Sequence, residues 1–214
     1  MTEWEILDGL VARYPCLAPL RETIRAAHNL ISGCYAVGGK LLICGNGGSC
    51  ADAGHMVGEL MKGFLLPRPL PAGEREALLA AGGGALASRL QCGLPAVSLA
   101  AHQELVSAVA NDLGAELAYA QQVQALGRPG DVLVGLSTSG NAENVANAAL
   151  VARARGLTVI GLTGADGGRL RELADVLIAV PAKETYQVQE LHLPVYHALC
   201  AMAEQAAFGA GTTR

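Results

Sequence analysis

Apolar residues in the first forty positions recur at helical spacing: Trp4, Leu7, Leu10 and Val11, then Leu20, Ile24, Ala27, Leu30 and Ile31. Each set covers one face of a 3.6-residue repeat, and Pro15 and Pro19 stand between them, so the pattern predicts two leading helices within residues 1–39. Beyond them the period changes. Short apolar runs end in turn residues and alternate with longer amphipathic stretches: "KLLICGNGG", "LPAVSLA", "DVLVGLSTSG", "LTVIGLTG" and "DVLIAVPA". Such runs suit strands buried on both faces, and their alternation with helical pattern predicts an α/β fold of parallel strands and crossover helices. Helices are expected near residues 49–63, 102–113, 115–127, 141–156, 167–174 and 185–208, with Gly156 placed to stop the fourth.

Between Phe64 and Leu94 the pattern loosens. "LLPRPLPAGE" is rich in proline and "AAGGGALASRLQCG" in small residues, yet strand-like sequence resumes afterwards. Residues 64–93 therefore read as an insertion, a lid or a subunit contact, rather than a linker. With 214 residues and 51% apolar composition, the chain suits one domain with one substantial core. A formal charge of −4 argues against an electrostatic grip on nucleic acid or anionic lipid, so an anionic ligand would have to be held locally. The six cysteines include no CxxC pair, and several fall in apolar stretches, which predicts reduced, mostly buried thiols. The chain opens with no signal-peptide pattern and holds no membrane-length apolar run, so a cytoplasmic protein that does not enter a membrane is expected.

Candidate chemistry gathers where strands end. In a parallel sheet, ligands collect at the carboxyl ends of strands, against helix N-termini that carry free backbone N–H groups. "CGNGGS", Cys44–Ser49, follows the first strand and "STSGN", Ser137–Asn141, follows the third. Glycine lets the backbone approach a ligand, the hydroxyls donate, and the following helix brings its positive end. Two such turns describe a phosphate cradle without Lys or Arg. Each alone would also serve as ordinary capping and turn chemistry. Neither a P-loop nor a GxGxxG spacing is present.

Just after the first cradle, His55 and Glu59 are four residues apart on one helix face, a spacing for two metal ligands, for a base with a charged partner, or for a surface contact. The last helical stretch, "QVQELHLPVYHALC", sets Gln187, Gln189, Glu190, His192 and His197 among apolar residues. His192 reads as a satisfied core or surface histidine. Gln189 and His197 are separated by about 12 Å of helix rise. For both to serve one site, the helix must bend, for which Pro194 offers a cause, or two subunits must contribute.

"GNGGS…H…E", "GDVLVGLSTSGN", "GLTGADGG" and "QELHLPVYH" together resemble the sugar isomerase (SIS) fold, and within it the sedoheptulose 7-phosphate isomerases, or phosphoheptose isomerases. The resemblance spans about residues 40–64 and 94–205, with the leading helices similar in character only. It implies a three-layer sandwich around a five-stranded parallel sheet, and a homotetramer with sites at subunit interfaces. The implied reaction converts sedoheptulose 7-phosphate to an aldoheptose 7-phosphate. Ser49, Ser137, Thr138 and Ser139 would hold the phosphate, with Asn46, Gly47, Gly48, Gln189, Asn111 and Asp112 also touching substrate. Without the resemblance, Asn111 and Asp112 read as helix-end polarity before Gly114. Glu59 is the implied base and His197 the acid, working through an enediol. Family members bind zinc through residues matching His55, Glu59, Gln189 and His197, an N/O set suited to a Lewis acid that polarises a carbonyl. Ligation and acid–base work would compete for the same lone pairs on Glu59 and His197.

This chain departs from the family's pattern in four places. Segment 64–93 is longer than usual, His102 stands where an aspartate is common, Ala142 where a phosphate-binding serine is common, and Tyr186 where an aspartate often precedes the last helix. These changes leave phosphate capture and proton transfer in place and bear on the identity of the sugar. Two other readings follow from the same fold: a non-catalytic SIS module that binds a phosphosugar or a protein partner such as a replication initiator, and an etherase or aminosugar-phosphate enzyme. The first lacks the acid and base positions in known cases. The second does not account for the HxxxE and QxxxxxxxH pairs.

Overall fold

Five parallel strands, β1 (Leu41–Gly45), β2 (Ala96–Ser98), β3 (Val132–Leu136), β4 (Thr158–Thr163) and β5 (Val176–Ala179), lie in the order β2-β1-β3-β4-β5. The computed structural model of the chain describes residues 1–209. The strands are short and apolar, with β1, β3 and β4 almost wholly buried as the runs predicted and the edge strand β5 mostly half-buried, and successive residues face opposite sides of the sheet. Leu41, Ile43, Val132, Val134, Ile160 and Leu162 point to one layer, where α1 (Glu3–Arg13), α2 (Arg21–Ala36), α3 (Gly48–Met61) and α10 (Thr185–Phe208) pack. Leu42, Cys44, Leu133 and Val159 point to the other, against α7 (Ala118–Leu126), α8 (Glu143–Ala154) and α9 (Leu170–Leu173).

From β1 the chain crosses to β2 on one side, then returns to β3 on the other side of β1. That reversal opens a crevice beyond the carboxyl ends of β1 and β3, the place where open α/β sheets bind ligands. Both polar turns emerge there. At the opposite, amino ends, Asp131 ties β1 to β3: its carboxylate accepts from Lys40 Nζ at 2.6 Å, Lys40 N at 2.9 Å and Arg128 N at 2.9 Å. Burial alone would raise the Asp131 pKa, and these donors outweigh it and hold the group below its usual value.

The segment after α3 is not featureless. It holds α4 (Ala72–Ala80) and the single turn α5 (Gly84–Ala87), closed at its root by an antiparallel bridge between Pro69 and Gln91. Its alanines carry helix propensity but no apolar stripe, and α4 buries none of its residues, so periodicity had nothing to register. The root is anchored by a fully buried pair, Arg68 and Glu204, at 2.7 Å. All six cysteines are unpaired, but only Cys34, Cys44 and Cys200 are buried; Cys16 is exposed and Cys50 and Cys92 are half-buried, because they lie on turns and helix edges. Among the described residues no helix is long and apolar enough to cross a membrane.

Candidate active site

The two turns enclose a cleft of about 300 Å³ lined by Asn46, Gly47, Gly48, Ser49, Ser137, Thr138, Ser139, Ala142, Thr185 and Gln189. Neither α3 nor α8 has an N-cap side-chain bond, so the N–H groups of Gly48, Ser49, Glu143 and Asn144 are left for a ligand, while those of Cys50 and Val145 are taken by the Gly47 carbonyl and Asn144 Oδ1. The hydroxyls are pre-set: Ser137 Oγ accepts from Ala142 N at 3.3 Å and Ser139 Oγ from Asn141 N at 3.1 Å, which leaves each hydroxyl proton free to donate into the cleft. Gly140 shapes this turn at a φ of 69°. A Cβ there would stand 2.0 Å from the Gly167 carbonyl oxygen, so the STSGN turn rests directly on the "GADGG" turn after β4.

An amide pair fastens the two turns together. Asn46 Nδ2 donates to Asn144 Oδ1 at 2.8 Å, Asn144 Nδ2 returns the bond at 2.9 Å, and Tyr119 Oη donates to the Gly45 carbonyl at 2.6 Å. Asn144 and Tyr119 were not singled out from sequence, since neither stands in a turn motif. Gln189 closes the cleft from α10: a Cβ on Gly48 would lie 2.6 Å from its Nε2. Asn111 and Asp112, at the end of α6 (Gln103–Asp112), lie outside this lining, exposed, with Asn111 Nδ2 donating to Asp112 Oδ1 at 2.7 Å.

A second cluster lies farther along the same pair of helices. α3 and α10 run side by side in the same direction, so Gly48 meets Gln189, Asp52 meets Tyr196, His55 meets His197, and Met56 meets Cys200. His55 Nε2 is 3.2 Å from Glu59 Oε1 and 3.4 Å from His197 Nε2. Lys62 Nζ donates to Glu59 Oε2 at 3.3 Å. The carboxylate and imidazole named from sequence thus share one neighbour. Burial, and the adjacent His55, hold the His197 pKa below its ordinary value, against the pull of Glu59 and Asp52. Burial and the Asp52 carboxylate raise that of Tyr196.

Gln189 does not join this cluster within one chain. α10 runs without a break from Thr185 to Phe208 through Pro194, so the eight-residue spacing keeps Gln189 at the cleft and His197 beside His55. Among the described residues no group of three or more His, Cys, Asp or Glu side chains is arranged to hold a metal ion. The trio at His55 Nε2 nevertheless supplies two donor spacings close to the edge of about 3.3 Å that a tetrahedron of zinc–nitrogen and zinc–oxygen bonds requires. Imidazole nitrogen and carboxylate oxygen are donor types that zinc takes, but within the single chain they do not assemble a metal centre.

His192 lies in the core rather than at the surface, and only one of its ring nitrogens is satisfied. It is fully buried, its Nε2–H donates to the Thr163 carbonyl at 3.2 Å beneath the cleft, and its Nδ1 has no partner. Burial pushes its pKa down to about 4, against about 6.5 in an unfolded chain. The unfolded state therefore binds the extra proton first, and stability contributed by neutral His192 is complete above about pH 6.5 and declines as the pH falls toward 4. Urea midpoints measured across that window are expected to fall in the wild type and to fall less in His192→Gln.

Among known proteins, a family model for the SIS domain matches residues 72–164. The phosphoheptose isomerase of Burkholderia pseudomallei is 40% identical over 190 residues, covering 89% of this chain and 85% of that protein. The solved phosphoheptose isomerase of Neisseria gonorrhoeae superposes with a TM-score of 0.74 at 35% identity, covering 92% of this chain and 94% of that one. That of Francisella tularensis gives 0.75 at 29% identity, covering 96% and 100%. By sequence over most of both chains, and by fold, this protein belongs to the phosphoheptose isomerase family of SIS-domain proteins.

Proposed function

We propose that this protein isomerises a ketose phosphate to an aldose phosphate, sedoheptulose 7-phosphate to D-glycero-D-manno-heptose 7-phosphate, through an enediol. The observation that carries the reading is the joint presence of an uncharged phosphate cradle and a carboxylate–imidazole cluster on one pair of parallel helices. Gly48 and His55 are separated by seven residues, about 10 Å along α3. That span suits a long open-chain sugar, with its phosphate at one end and C1 and C2 at the other, better than a triose. Helix N-termini and hydroxyls balance the dianion locally, in keeping with a chain of net charge −4.

In the reaction, Glu59 takes the C1 proton of the ketose and returns it at C2. His197, held neutral by burial, takes the O1 hydroxyl proton and delivers it to O2, so atoms and charge balance across the isomerisation. His55, Glu59 and His197 are also the residues that would hold zinc, which would polarise the C2 carbonyl but would occupy the lone pairs that Glu59 and His197 use for proton transfer. The fourth ligand in this reading is Gln189 of a neighbouring copy, since about 12 Å of helix rise separates it from His197 in its own chain. A homotetramer with sites at subunit interfaces accommodates that demand, and six unpaired cysteines suit a cytoplasmic setting.

The test is conversion of sedoheptulose 7-phosphate, followed beside pentose and hexose phosphates with zinc added and removed. Aldoheptose phosphate formation is expected; no turnover on any of these sugars overturns the reading. Ser139→Ala removes one hydroxyl from the cradle and is expected to raise KM by about tenfold or more, the worth of one hydrogen bond to a charged group, with little change in kcat.

A further inference from the structure

Tyr196 precedes His197 on α10, and its hydroxyl reaches two residues of α3: it donates to Asp52 Oδ1 at 3.1 Å and lies 3.0 Å from His55 Nδ1. A phenol has one proton to give and an ionised carboxylate has none. With that proton committed to Asp52, the contact to His55 is donated by the ring's own Nδ1–H. The other ring nitrogen is then the one that faces Glu59 and His197. We propose that Tyr196 and Asp52 are positioning residues that hold His55 in its Nδ1–H form and aim its Nε2 lone pair, beside the lone pairs of Glu59 and His197, at a cation. In the loaded protein that cation would be zinc.

Burial explains why the device sits here. The His55 side chain is 44% exposed, so nothing but this hydrogen bond and its neighbours fixes its rotation, whereas Tyr196 is fully buried and cannot swing away. The Tyr196 ring also packs edge-on against the imidazole at 5.6 Å between centroids. A buried phenol thus transfers the rigidity of the α3–α10 seam to an exposed ligand, as outer partners of metal-bound histidines do. Phenylalanine at position 196 would pack against the same core but leave Nδ1 without its hydroxyl partner.

The inference rests on reading this cluster as the reacting centre, and its test is separable from that reading. Nitrogen-15 spectra of the full-length, zinc-free protein at about pH 8, where ordinary carboxyls are ionised and ordinary histidines neutral, report which His55 nitrogen carries hydrogen. Nδ1–H is expected; a neutral Nε2–H ring overturns the proposal with no variant needed. In Tyr196→Phe, zinc affinity and kcat are each expected to fall about 10- to 100-fold, with KM for the sugar phosphate unchanged because the cradle is remote. Asp52→Asn, whose carbonyl oxygen still accepts from the phenol, is expected to lose less. Wild-type zinc binding by Tyr196→Phe also overturns it. If the wild type converts no sugar phosphate, the proposed reaction fails, while the His55 spectrum and the zinc titration still decide this point.

Discussion

Glu59→Gln is expected to lower kcat for ketose-to-aldose conversion by about 10²- to 10⁴-fold, the usual contribution of a positioned acid–base group. The amide keeps the size and the contact to His55 Nε2 but cannot take the C1 proton. His197→Ala is expected to fall by a comparable factor, because the O1-to-O2 proton transfer loses its carrier. Since the two residues serve one proton circuit through a common neighbour, the double variant is expected to be little worse than either single one. KM should hold in all three, because the phosphate is bound at the other end of the α3–α10 pair. Exchange of the C1 hydrogen with deuterated solvent separates the roles: Glu59→Gln abolishes it, whereas His197→Ala retains part of it. Zinc content measured alongside distinguishes loss of the acid from loss of a ligand. A protein that serves only to bind phosphosugars would instead keep its ligand-dependent thermal stabilisation in both variants and turn over nothing in the wild type.

Local rules carried the fold well. Each buried strand was legible because a run such as Leu41–Cys44 is apolar on both faces and ends in residues that only a turn accepts. The cradle was legible for the same reason, since Ser137–Asn141 and Asn46–Ser49 carry their chemistry in consecutive positions. What sequence could not give was the pairing of elements far apart in the chain. Tyr196 reads as one more apolar residue of the last helix until α3 is laid beside it and Asp52 and His55 come into reach. Asn144 reads as helix polarity until Asn46, 98 positions away, returns its hydrogen bond. The metal set inferred from the family resemblance divides in the single chain because helix rise is fixed: the Gln189 to His197 spacing cannot close without a bend, and α10 does not break at Pro194. A proline inside a helix permits a bend without requiring one, and α10, packed against α1, α2 and α3, continues as helix through Pro194.

The largest stability effect is expected at the root of the inserted segment, far from any motif. Glu204 gathers four donors: Phe64 N at 2.8 Å and Arg68 Nε at 2.7 Å on Oε1, and Leu65 N at 2.7 Å and Leu66 N at 3.0 Å on Oε2. Arg68 in turn donates to the Leu60 carbonyl at 2.6 Å and the Glu59 carbonyl at 3.2 Å, the last turn of α3. Glu204→Gln leaves the Arg68 cation buried without a counter-charge and sets an amide hydrogen against donors that need an acceptor. A loss of about 3–5 kcal/mol is expected, a large share of the roughly 5–15 kcal/mol that holds a domain together, read as a lower urea midpoint at unchanged slope. Replacing both partners by apolar residues, Arg68→Met with Glu204→Leu, often restores stability at a buried ion pair. Here it is expected not to, because three backbone N–H groups of residues 64–66 would lose their acceptor, at about 1–3 kcal/mol each. Faster amide hydrogen exchange at Phe64, Leu65 and Leu66 in both variants would mark that cause. Full recovery by the double variant would mean that the charges matter and the backbone amides do not. The consequence reaches the chemistry, since one of the two carbonyls that Arg68 grips belongs to the proposed base and the other to its neighbour Leu60: variants that survive folding are expected to lose kcat with KM unchanged, as the α3 terminus carrying Glu59 loosens beside an intact cradle.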